Sequence, residues 1–410
     1  MTIVTPTWKD EMAGFRDGIA ERPDLFHYHY LIATILYRRG YFEEAMSHIE
    51  GGLLKKEHYA QVFDLVEDGT RYLSGEWFAW IGHIASLDAY FKAKALGWLG
   101  DRKTKVVLHD KQIANPALLE YFLPFFDEIA NPYGPDERKR EYFHNDYLSG
   151  FRLGDGSFTH YDALRTEAIR TWEEQQRKPL LTLKDDHRIM GREAMKRLGL
   201  PQDAWFVALH ARNSLTTPFF DSRNANLDDY EKATRMIAQW GGHTVRMGDP
   251  MANPPDWPNL INYPESAEKS DWMDVYLSAS CRFFLGTQSG LCEVPGCFGV
   301  PCAITNVVTL GIASPYPANR FLPQNLVSDV TGRSVSIADR LRAPYISMQD
   351  PDAMRERSVH LVPNSPEEIA DLALEVLLDG GAPQGASFFK ALGTSYGNAR
   401  PGSGYLRGAL

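Results

Sequence analysis

Polar and charged residues follow four predicted β-strands in the second half of the chain. These residues are His210-Ala211-Arg212-Asn213, Arg246-Met247-Gly248-Asp249, Thr287-Gln288-Ser289-Gly290 and Thr305-Asn306, together with Arg223-Asn224 in the loop after the first strand. In a doubly wound parallel sheet, ligands bind beyond the carboxyl ends of the strands. The four segments are therefore predicted to meet at one edge of a sheet and to share one site.

The residue types in these segments suit a diphosphate ligand. An arginine such as Arg212 can hold phosphate oxygens with its planar guanidinium, and a Ser/Thr/Gly turn leading into a helix offers backbone N–H groups to the same oxygens. Asp249 is a candidate acceptor for ribose or base hydrogen bonds. Taken alone, Arg212 could equally form a surface ion pair and Gly248-Asp249-Pro250 a simple turn. The prediction therefore depends on the convergence of the four strand ends.

Several sequence signatures of other enzyme classes are missing. The chain has no G-x-x-x-x-G-K-[ST], G-x-G-x-x-G, G-x-S-x-G or H-E-x-x-H motif, which disfavours kinase, hydride-transfer, serine-hydrolase and zinc-protease activities. The four cysteines, Cys281, Cys292, Cys297 and Cys302, lack the paired spacing of zinc sites, so we predict buried thiols and no metal. Asp350-Pro351-Asp352 is interpreted as a solvated turn rather than a metal site.

An alternation of strands and helices surrounds these motifs. Strands are predicted at 76–81, 105–109, 205–210, 243–247, 282–285 and 301–305, and helices at 85–96, from 117, 161–176, 185–198, 228–240, 271–280 and 365–378. Residues 132–156 are predicted to be an insertion or a long loop. Alternation of this kind is typical of parallel sheets covered by helices on both faces. The sequence therefore predicts an α/β fold with two Rossmann-like blocks and a cleft between them.

The first seventy residues are predicted to be helical. Between Tyr28 and Tyr59, small and aromatic residues recur with the spacing of a single tetratricopeptide (TPR) repeat, with a break at Gly40. One such repeat cannot bury its own apolar face. These helices are therefore predicted either to pack on the next domain or to dock a protein partner.

Composition narrows the class of partner. The 410 residues carry a formal net charge of −10, which argues against a general nucleic-acid or anionic-membrane binder. The N-terminal residues lack a secretory signal pattern, and the charge-poor stretch 283–314 is interrupted too often by Pro and Gly to span a membrane. We expect a soluble, cytoplasmic protein, with a peripheral association with the inner membrane left open.

Residues 206–306 carry a family resemblance. Together with Trp80-Ile81-Gly82-His83 and Leu96-Gly97-Trp98, they resemble a family of bacterial glycosyltransferases of the GT-B type with a TPR-like N-terminus, and the likeness covers most of residues 28–380. It implies a Rossmann-like acceptor domain at 73–198 and a Rossmann-like nucleotide-sugar-binding domain at 199–380, after a helical region at 1–72. Residues 381–410 are rich in Gly and Ser and are predicted to form an extended tail. His-x-Arg-Asn is also similar to the fucosyltransferase motif whose arginine holds the β-phosphate of GDP-fucose, which points to Arg212.

The resemblance implies metal-independent transfer of a hexosyl or deoxyhexosyl group. The donor would be a nucleotide-diphosphate sugar, with a GDP-sugar favoured and no cofactor required, and the acceptor a cell-surface glycan, a lipid-linked glycan or a protein. Arg212, with the N–H groups at Ser289 and Gly290, would stabilise charge on the leaving diphosphate. A base would come from the first block, with His83 and Asp110 as candidates. A helix-capping or core role is the favoured alternative for His83. The rival functions are a pyruvyl or other cleft transferase and a non-catalytic scaffold.

Overall fold

The N-terminal region is a bundle of three helices. The computed structural model describes residues 8–65, 69–108, 113–130, 134–213, 222–310, 314–379 and 400–401. Helices α1 (Trp8–Glu21), α2 (His27–Arg38) and α3 (Phe42–Val62) pack around Phe26, Leu36 and Ile49. The predicted helix–turn–helix between Tyr28 and Tyr59 is confirmed, whereas its kinship with a TPR repeat stays a prediction.

A small α/β block follows these helices. It contains β1 (Thr70–Ser74), α4 (Ile81–Ala85), α5 (Leu87–Ala95), β2 (Lys103–Val107), α6 (Pro116–Phe122) and β3 (Glu128–Ala130). The three strands form a parallel sheet in the order β1-β2-β3. The predicted strand–helix alternation of this block is therefore confirmed, although its first strand is misplaced.

The aromatic strand predicted at 76–81 is wrong. The first strand ends at Ser74, and residues Gly75–Trp77 form one turn of 3-10 helix. Trp77 and the next residue, Phe78, are both buried, at 0% and 2% exposure. Successive side chains of a strand point to opposite faces, so a strand could not bury both in the same core cluster.

The segment predicted as a long loop at 132–156 contains regular structure. It includes α7 (Pro135–His144) and β4 (Phe151–Arg152), and β4 pairs antiparallel with β5 (Phe158–Thr159). The charged residues that suggest a loop lie on α7, whose proline stands at the helix start, where it loses no hydrogen bond. Helices α8 (Tyr161–Glu174) and α9 (Asp185–Arg197) then lead to the second block, as predicted.

The second block is built on a parallel sheet of seven strands. Its elements are β6 (Phe206–His210), α10 (Glu231–Gln239), β7 (His243–Arg246), β8 (Leu260–Asn262), α11 (Asp271–Ser280), β9 (Phe284–Thr287), α12 (Val294–Cys297), β10 (Cys302–Val307), β11 (Arg320–Pro323), β12 (Asn325–Ser328), α13 (Ile337–Arg340), α14 (Pro351–Glu356), β13 (Val359–Val362), α15 (Pro366–Asp379) and β14 (Arg400–Pro401). The sheet order is β14-β11-β10-β9-β6-β7-β8, and β12 pairs with β13 outside it. From β6 to β11 this is the Rossmann order 3-2-1-4-5-6, which reverses between β6 and β9.

Helices cover both faces of this sheet. Helices α10 and α15 pack on one face through Ala233, Ile237 and Leu372, and α9 and α11 pack on the other. Neighbouring strand residues Val207 and Ala208 are both fully buried. Strands buried on both faces have continuous apolar sequences, which is why β6 is recognisable without alternation.

The two blocks pack directly on each other. The core of the first block includes Val275, Val294 and Tyr316 from the second. The side chain of Asn115 also donates to the carbonyl of Asp271 across 3.1 Å. The blocks share a core, and the predicted cleft between two Rossmann-like domains is not confirmed. In the described part of the chain, no helix combines the length and apolarity that a membrane span requires.

Candidate functional site

The sequence motifs meet at the point where the strand order of the main sheet reverses. The backbone N–H of Arg212, just past β6, donates to Oγ1 of Thr287 at the end of β9 across 3.0 Å. A second contact joins the residue two positions before Arg212 with the residue two positions after Thr287: Nδ1 of His210 lies 3.3 Å from Oγ of Ser289. In open α/β sheets such a switch point forms a crevice at the carboxyl ends of the strands, where ligands bind.

The guanidinium of Arg212 is held in place by the loop that follows it. Its Nη1 donates to Oδ1 of Asn224, and the backbone N–H of Ala225 donates to the carbonyl of Arg212 across 2.9 Å. These contacts orient the side chain before any ligand arrives. An oriented arginine loses less conformational freedom when it binds an anion.

Positive charge is concentrated around Arg212. Burial, and then the charge of Arg212, lower the pKa of Arg223 to about 10. Burial is also the main cause that lowers the pKa of His210 to about 4; Asp249 opposes it, and the charge of Arg212 adds to it. His210 is therefore neutral at pH 7, and the two arginines remain charged. This part of the chain favours an anionic ligand.

Gly248 fits against the ring of His210. Its φ of +106° lies in the region that side chains rarely adopt, and a Cβ atom there would stand 3.1 Å from Cδ2 of His210. The backbone conformation therefore favours glycine, and a Cβ atom would also press on the His210 ring. Asp249 follows at the exposed rim, where Asn213 is also exposed.

Three predicted donor-binding residues are engaged inside the protein instead. Arg246 donates to Oδ1 of Asn262 across 2.8 Å and pairs with both carboxylate oxygens of Glu265. This ion pair engages the guanidinium and offsets its charge, and a role of Arg246 in donor binding stays a prediction.

Asn306 and Gln288 are the other two. Oδ1 of Asn306 accepts the N–H of Asn364 across 2.8 Å, and Oδ1 of Asn364 accepts the N–H of Asn306 across 2.6 Å. Oε1 of Gln288 accepts the N–H of Val308 across 3.2 Å, and its Nε2 lies 3.3 Å from Oγ1 of Thr309. Both side chains are buried and hold loops in place, although they stand at the strand ends where the sequence places them.

The turn after β9 does not lead into a long helix. It enters one turn of 3-10 helix at Leu291–Glu293 and then the four-residue α12. The N–H of Ser289 points to Sγ of Cys292 at 3.5 Å. The helix-terminus part of the predicted anion site is therefore not supported, because a helix dipole needs several aligned turns.

The first block touches the site through α4. A Cβ atom on Gly82 would lie 2.6 Å from Cα of Gly290, so the two backbones are in direct contact. His83 is next in the chain, on a helix rather than after a strand, and its Nδ1 donates to the carbonyl of Glu76 across 2.6 Å. Because a carbonyl can only accept, the proton sits on Nδ1, and burial lowers the pKa of His83.

His83 is thus a neutral imidazole at pH 7 whose Nε2 can accept a proton. Sequence reasoning misses Glu76 as the residue that fixes this tautomer, because it lies inside the wrongly predicted strand. The other candidate base, Asp110, lies outside the residues that the structure describes.

The four thiols are buried in the second block, as predicted. Among the described residues, no three His, Cys, Asp or Glu side chains are grouped so that they could hold a metal ion. The Asp350-Pro351-Asp352 motif caps a helix: Oδ1 of Asp350 accepts the N–H groups of Asp352 and Ala353 at 2.8 and 3.2 Å.

A wide groove lies at the opposite edge of the main sheet. Its volume is about 1250 Å³, and its lining includes Trp205, Ser280 and Arg282, which precede β6 and β9. Residues at the amino ends of parallel strands lie far from the switch point. The site at the carboxyl ends, where the motifs meet, is therefore the better candidate for chemistry.

Comparisons with known proteins give distant structural likenesses. No family model matches the chain, and no curated protein matches it in sequence. ADP-heptose LPS heptosyltransferase II from E. coli is 12% identical, over 76% of this chain and 100% of that chain, with a TM-score of 0.45. A family 9 glycosyl transferase from Veillonella parvula is 11% identical, over 57% and 79%, at 0.37. The iron-containing dodecameric glycosyltransferase TibC from enterotoxigenic E. coli is 12% identical, over 57% of each chain, at 0.33. At TM-scores this low, the likenesses assign neither a fold nor a function to this chain.

Proposed function

We propose that the chain is a glycosyltransferase that uses a nucleotide-diphosphate sugar, with a GDP-sugar favoured. The observation that carries this proposal is the position of Arg212 at the switch point, held by Thr287 on one side and Asn224 on the other. A Rossmann-ordered sheet with an oriented arginine at that point suits a nucleotide diphosphate. The likeness of His210-Ala211-Arg212-Asn213 to the fucosyltransferase motif favours guanine as the base.

The reaction would break the bond between the sugar carbon and the diphosphate oxygen. Negative charge then grows on the leaving diphosphate, and Arg212 with Arg223 would stabilise that charge where it develops. Two guanidiniums can take the place of a divalent cation in this role, so the proposed transfer is metal-independent. The acceptor hydroxyl, on a glycan, a lipid-linked glycan or a protein, forms the new bond to the sugar.

His83 is the proposed base for the acceptor hydroxyl. Its Nδ1–H is held by the carbonyl of Glu76, which leaves Nε2 able to accept the hydroxyl proton. The contact between Gly82 and Gly290 brings this helix to the end of β9, beside the proposed donor site. A base on the first block would act on an acceptor that enters from that side.

The test is a nucleotide-sugar panel. Calorimetry with GDP, UDP and ADP sugars is expected to show binding of one nucleotide class, followed by transfer or slow hydrolysis of its sugar.

Arg212→Ala is expected to weaken diphosphate binding by about tenfold or more, since a charge-assisted contact is worth about 1.5–3 kcal/mol. Arg235→Ala, which removes an exposed arginine of α10 paired with Glu231 at 2.6 Å, is the matched control. Turnover at the wild-type rate in Arg212→Ala would contradict the proposed function.

A further inference from the structure

The N-terminal helices are fixed to the second block. The carbonyl of Arg38, the last residue of α2, accepts the N–H groups of Gln349 and Asp350 at 3.0 and 3.3 Å. The next residue, Arg39, is 1% exposed and pairs with Asp350 at 2.9 Å and with Glu356 at 2.6 Å. A buried arginine with two carboxylate partners makes this contact costly to open.

The turn between α2 and α3 fits closely against the same surface. Gly40 has a φ of +87°, and a Cβ atom there would stand 2.0 Å from the carbonyl oxygen of Pro344. Oγ of Ser347 donates to the carbonyl of Tyr37 across 2.7 Å. Only glycine permits this approach of two backbones, so the end of α2 has a defined position relative to the second block.

The same surface also holds the loop that carries Arg223. Oγ of Ser222 donates to the carbonyl of Gln349 across 3.2 Å. The carbonyl of Ser222 accepts from Nε2 of Gln324 across 2.8 Å. Gln349 therefore contacts the end of α2 through its N–H and the Arg223 loop through its carbonyl, so the backbone of Arg38 and the residue before Arg223 both bond to Gln349.

The positive charge of Arg38 acts on Arg223. Arg38 is half-buried, and its positive charge adds to burial and to the charge of Arg212 in lowering the pKa of Arg223. Asp350 is the carboxylate that opposes the lowering of the pKa of Arg38 by burial. Because Asp350 also pairs with Arg39 and caps α14, its charge is shared among several groups.

We propose that Arg38 is a third cation of the candidate site and contacts the diphosphate of the donor, so that the N-terminal helices form part of the substrate site. This inference rests on the proposed function. It assigns a substrate-binding role to a region whose sequence predicts either packing on the next domain or docking of a protein partner. A nucleoside diphosphate carries more negative charge than a monophosphate, and a third guanidinium is suited to the additional phosphate.

Substitution of the Arg38 side chain leaves the docking contacts to Gln349 and Asp350 in place, because those bonds use its backbone carbonyl. Arg38→Gln keeps most of the aliphatic stem and removes the charge. Arg38→Lys keeps the positive charge but replaces the planar guanidinium with an ammonium group. Arg16→Ala, which removes an exposed arginine from α1, is the matched control for net charge. Melting temperatures establish that each variant is folded.

Calorimetry measures the dissociation constants of GDP, UDP and ADP and of their monophosphates for each variant. Arg38→Gln is expected to weaken binding of the preferred diphosphate by about tenfold and to change monophosphate binding by less than about twofold. Arg38→Lys should restore part of the loss, and Arg16→Ala should bind as the wild type does.

Three kinds of result would overturn the inference. If Arg38→Gln binds diphosphate as the wild type does while Arg212→Ala loses binding, Arg38 is outside the site and the proposed function survives. If the wild type binds none of the diphosphates, or Arg212→Ala binds them unchanged, the proposed function itself fails. Equal loss of monophosphate and diphosphate binding in Arg38→Gln would also contradict a role at the second phosphate.

Discussion

The backbone N–H of Arg212 and the hydroxyl of Thr287 form a 3.0 Å hydrogen bond between residues 75 positions apart in the chain. This bond ties the end of β6 to the end of β9, on the two sides of the point where the strand order reverses. Thr287 is fully buried, and its hydroxyl positions the backbone of Arg212. In the proposed function, the side chain of Arg212 is the group that reaches the ligand.

Thr287→Val is expected to disturb both stability and binding. Valine has nearly the shape of threonine but leaves the N–H of Arg212 without its acceptor, which costs about 1–3 kcal/mol of unfolding free energy. Diphosphate affinity should fall several-fold, because Arg212 is no longer fixed. Urea denaturation and calorimetry measure the two effects. Thr287→Ser, which keeps the hydroxyl, should lose much less of either; equal losses in both variants would contradict the positioning role.

Gly82→Ala should separate the two blocks where they touch. The added Cβ would meet Cα of Gly290 at 2.6 Å, and a backbone atom cannot rotate away. We expect a loss of about 1–3 kcal/mol of unfolding free energy and a marked fall in turnover. Gly14→Ala on α1 is the control, since a Cβ atom at that position would meet no neighbouring atom within 4 Å. It should stabilise the protein by about 0.5–1 kcal/mol. Wild-type stability in Gly82→Ala would show that the contact can open freely.

Folding stability should depend on His210 at acid pH. Burial lowers the pKa of His210 from 6.5 to about 4, so the unfolded chain takes up this proton first as the pH falls. The contribution of neutral His210 to the free energy of unfolding is therefore complete above pH 6.5 and declines as the pH falls from 6.5 to 4. The His210→Asn variant lacks this titration. Between pH 6.5 and 4, its free energy of unfolding should therefore fall by up to about 3 kcal/mol less than that of the wild type. Denaturation curves at pH 7, 5.5 and 4.5 compare the two proteins, and parallel pH profiles would contradict the assignment.

The four thiols should be unreactive in the folded protein. Burial raises the pKa of Cys281 and of Cys292 to about 12 and also raises the pKa values of Cys297 and Cys302. Because the thiolate is the reactive form, a colourimetric thiol reagent at pH 8 should label native protein slowly and label all four cysteines in denaturant. Rapid labelling of the native chain would show that one of these residues is accessible.

The strands of the second block are readable in the sequence because burial on both faces leaves a continuous apolar run. The sequence predicts β6, β7, β9 and β10 but misses β8, β11 and the later strands β12, β13 and β14. Strand β8 has only three residues, and β11 has only Phe321 and Leu322 between an arginine and a proline, so neither stands out as a strand in the sequence. The aromatic residues Trp77 and Phe78 are wrongly predicted to lie in a strand. They are both buried because a helical turn can bury two neighbouring side chains, which a strand would place on opposite faces.

The candidate site is predictable in part because strand ends converge whenever a parallel sheet forms. That rule alone places Arg212, Thr287 and Ser289 together. The rule cannot show that Arg246 pairs with Glu265, because the partner of a long side chain depends on the path of the loop between the two residues. Nor can it connect Arg38 with Arg223, since no local pattern relates a helix end in the first forty residues to a loop far along the chain.

The sequence by itself determined the alternation of elements, the buried cysteines, the N-terminal helices and the residue types at the strand ends, because these follow from local periodicity and composition. Tertiary structure decided which polar side chains face a ligand and which face one another. It also decided that the two blocks share a core and that α2 ends beside the Arg223 loop. Those outcomes depend on packing between distant segments, where one close glycine contact or one ion pair fixes a relationship that no stretch of sequence encodes alone.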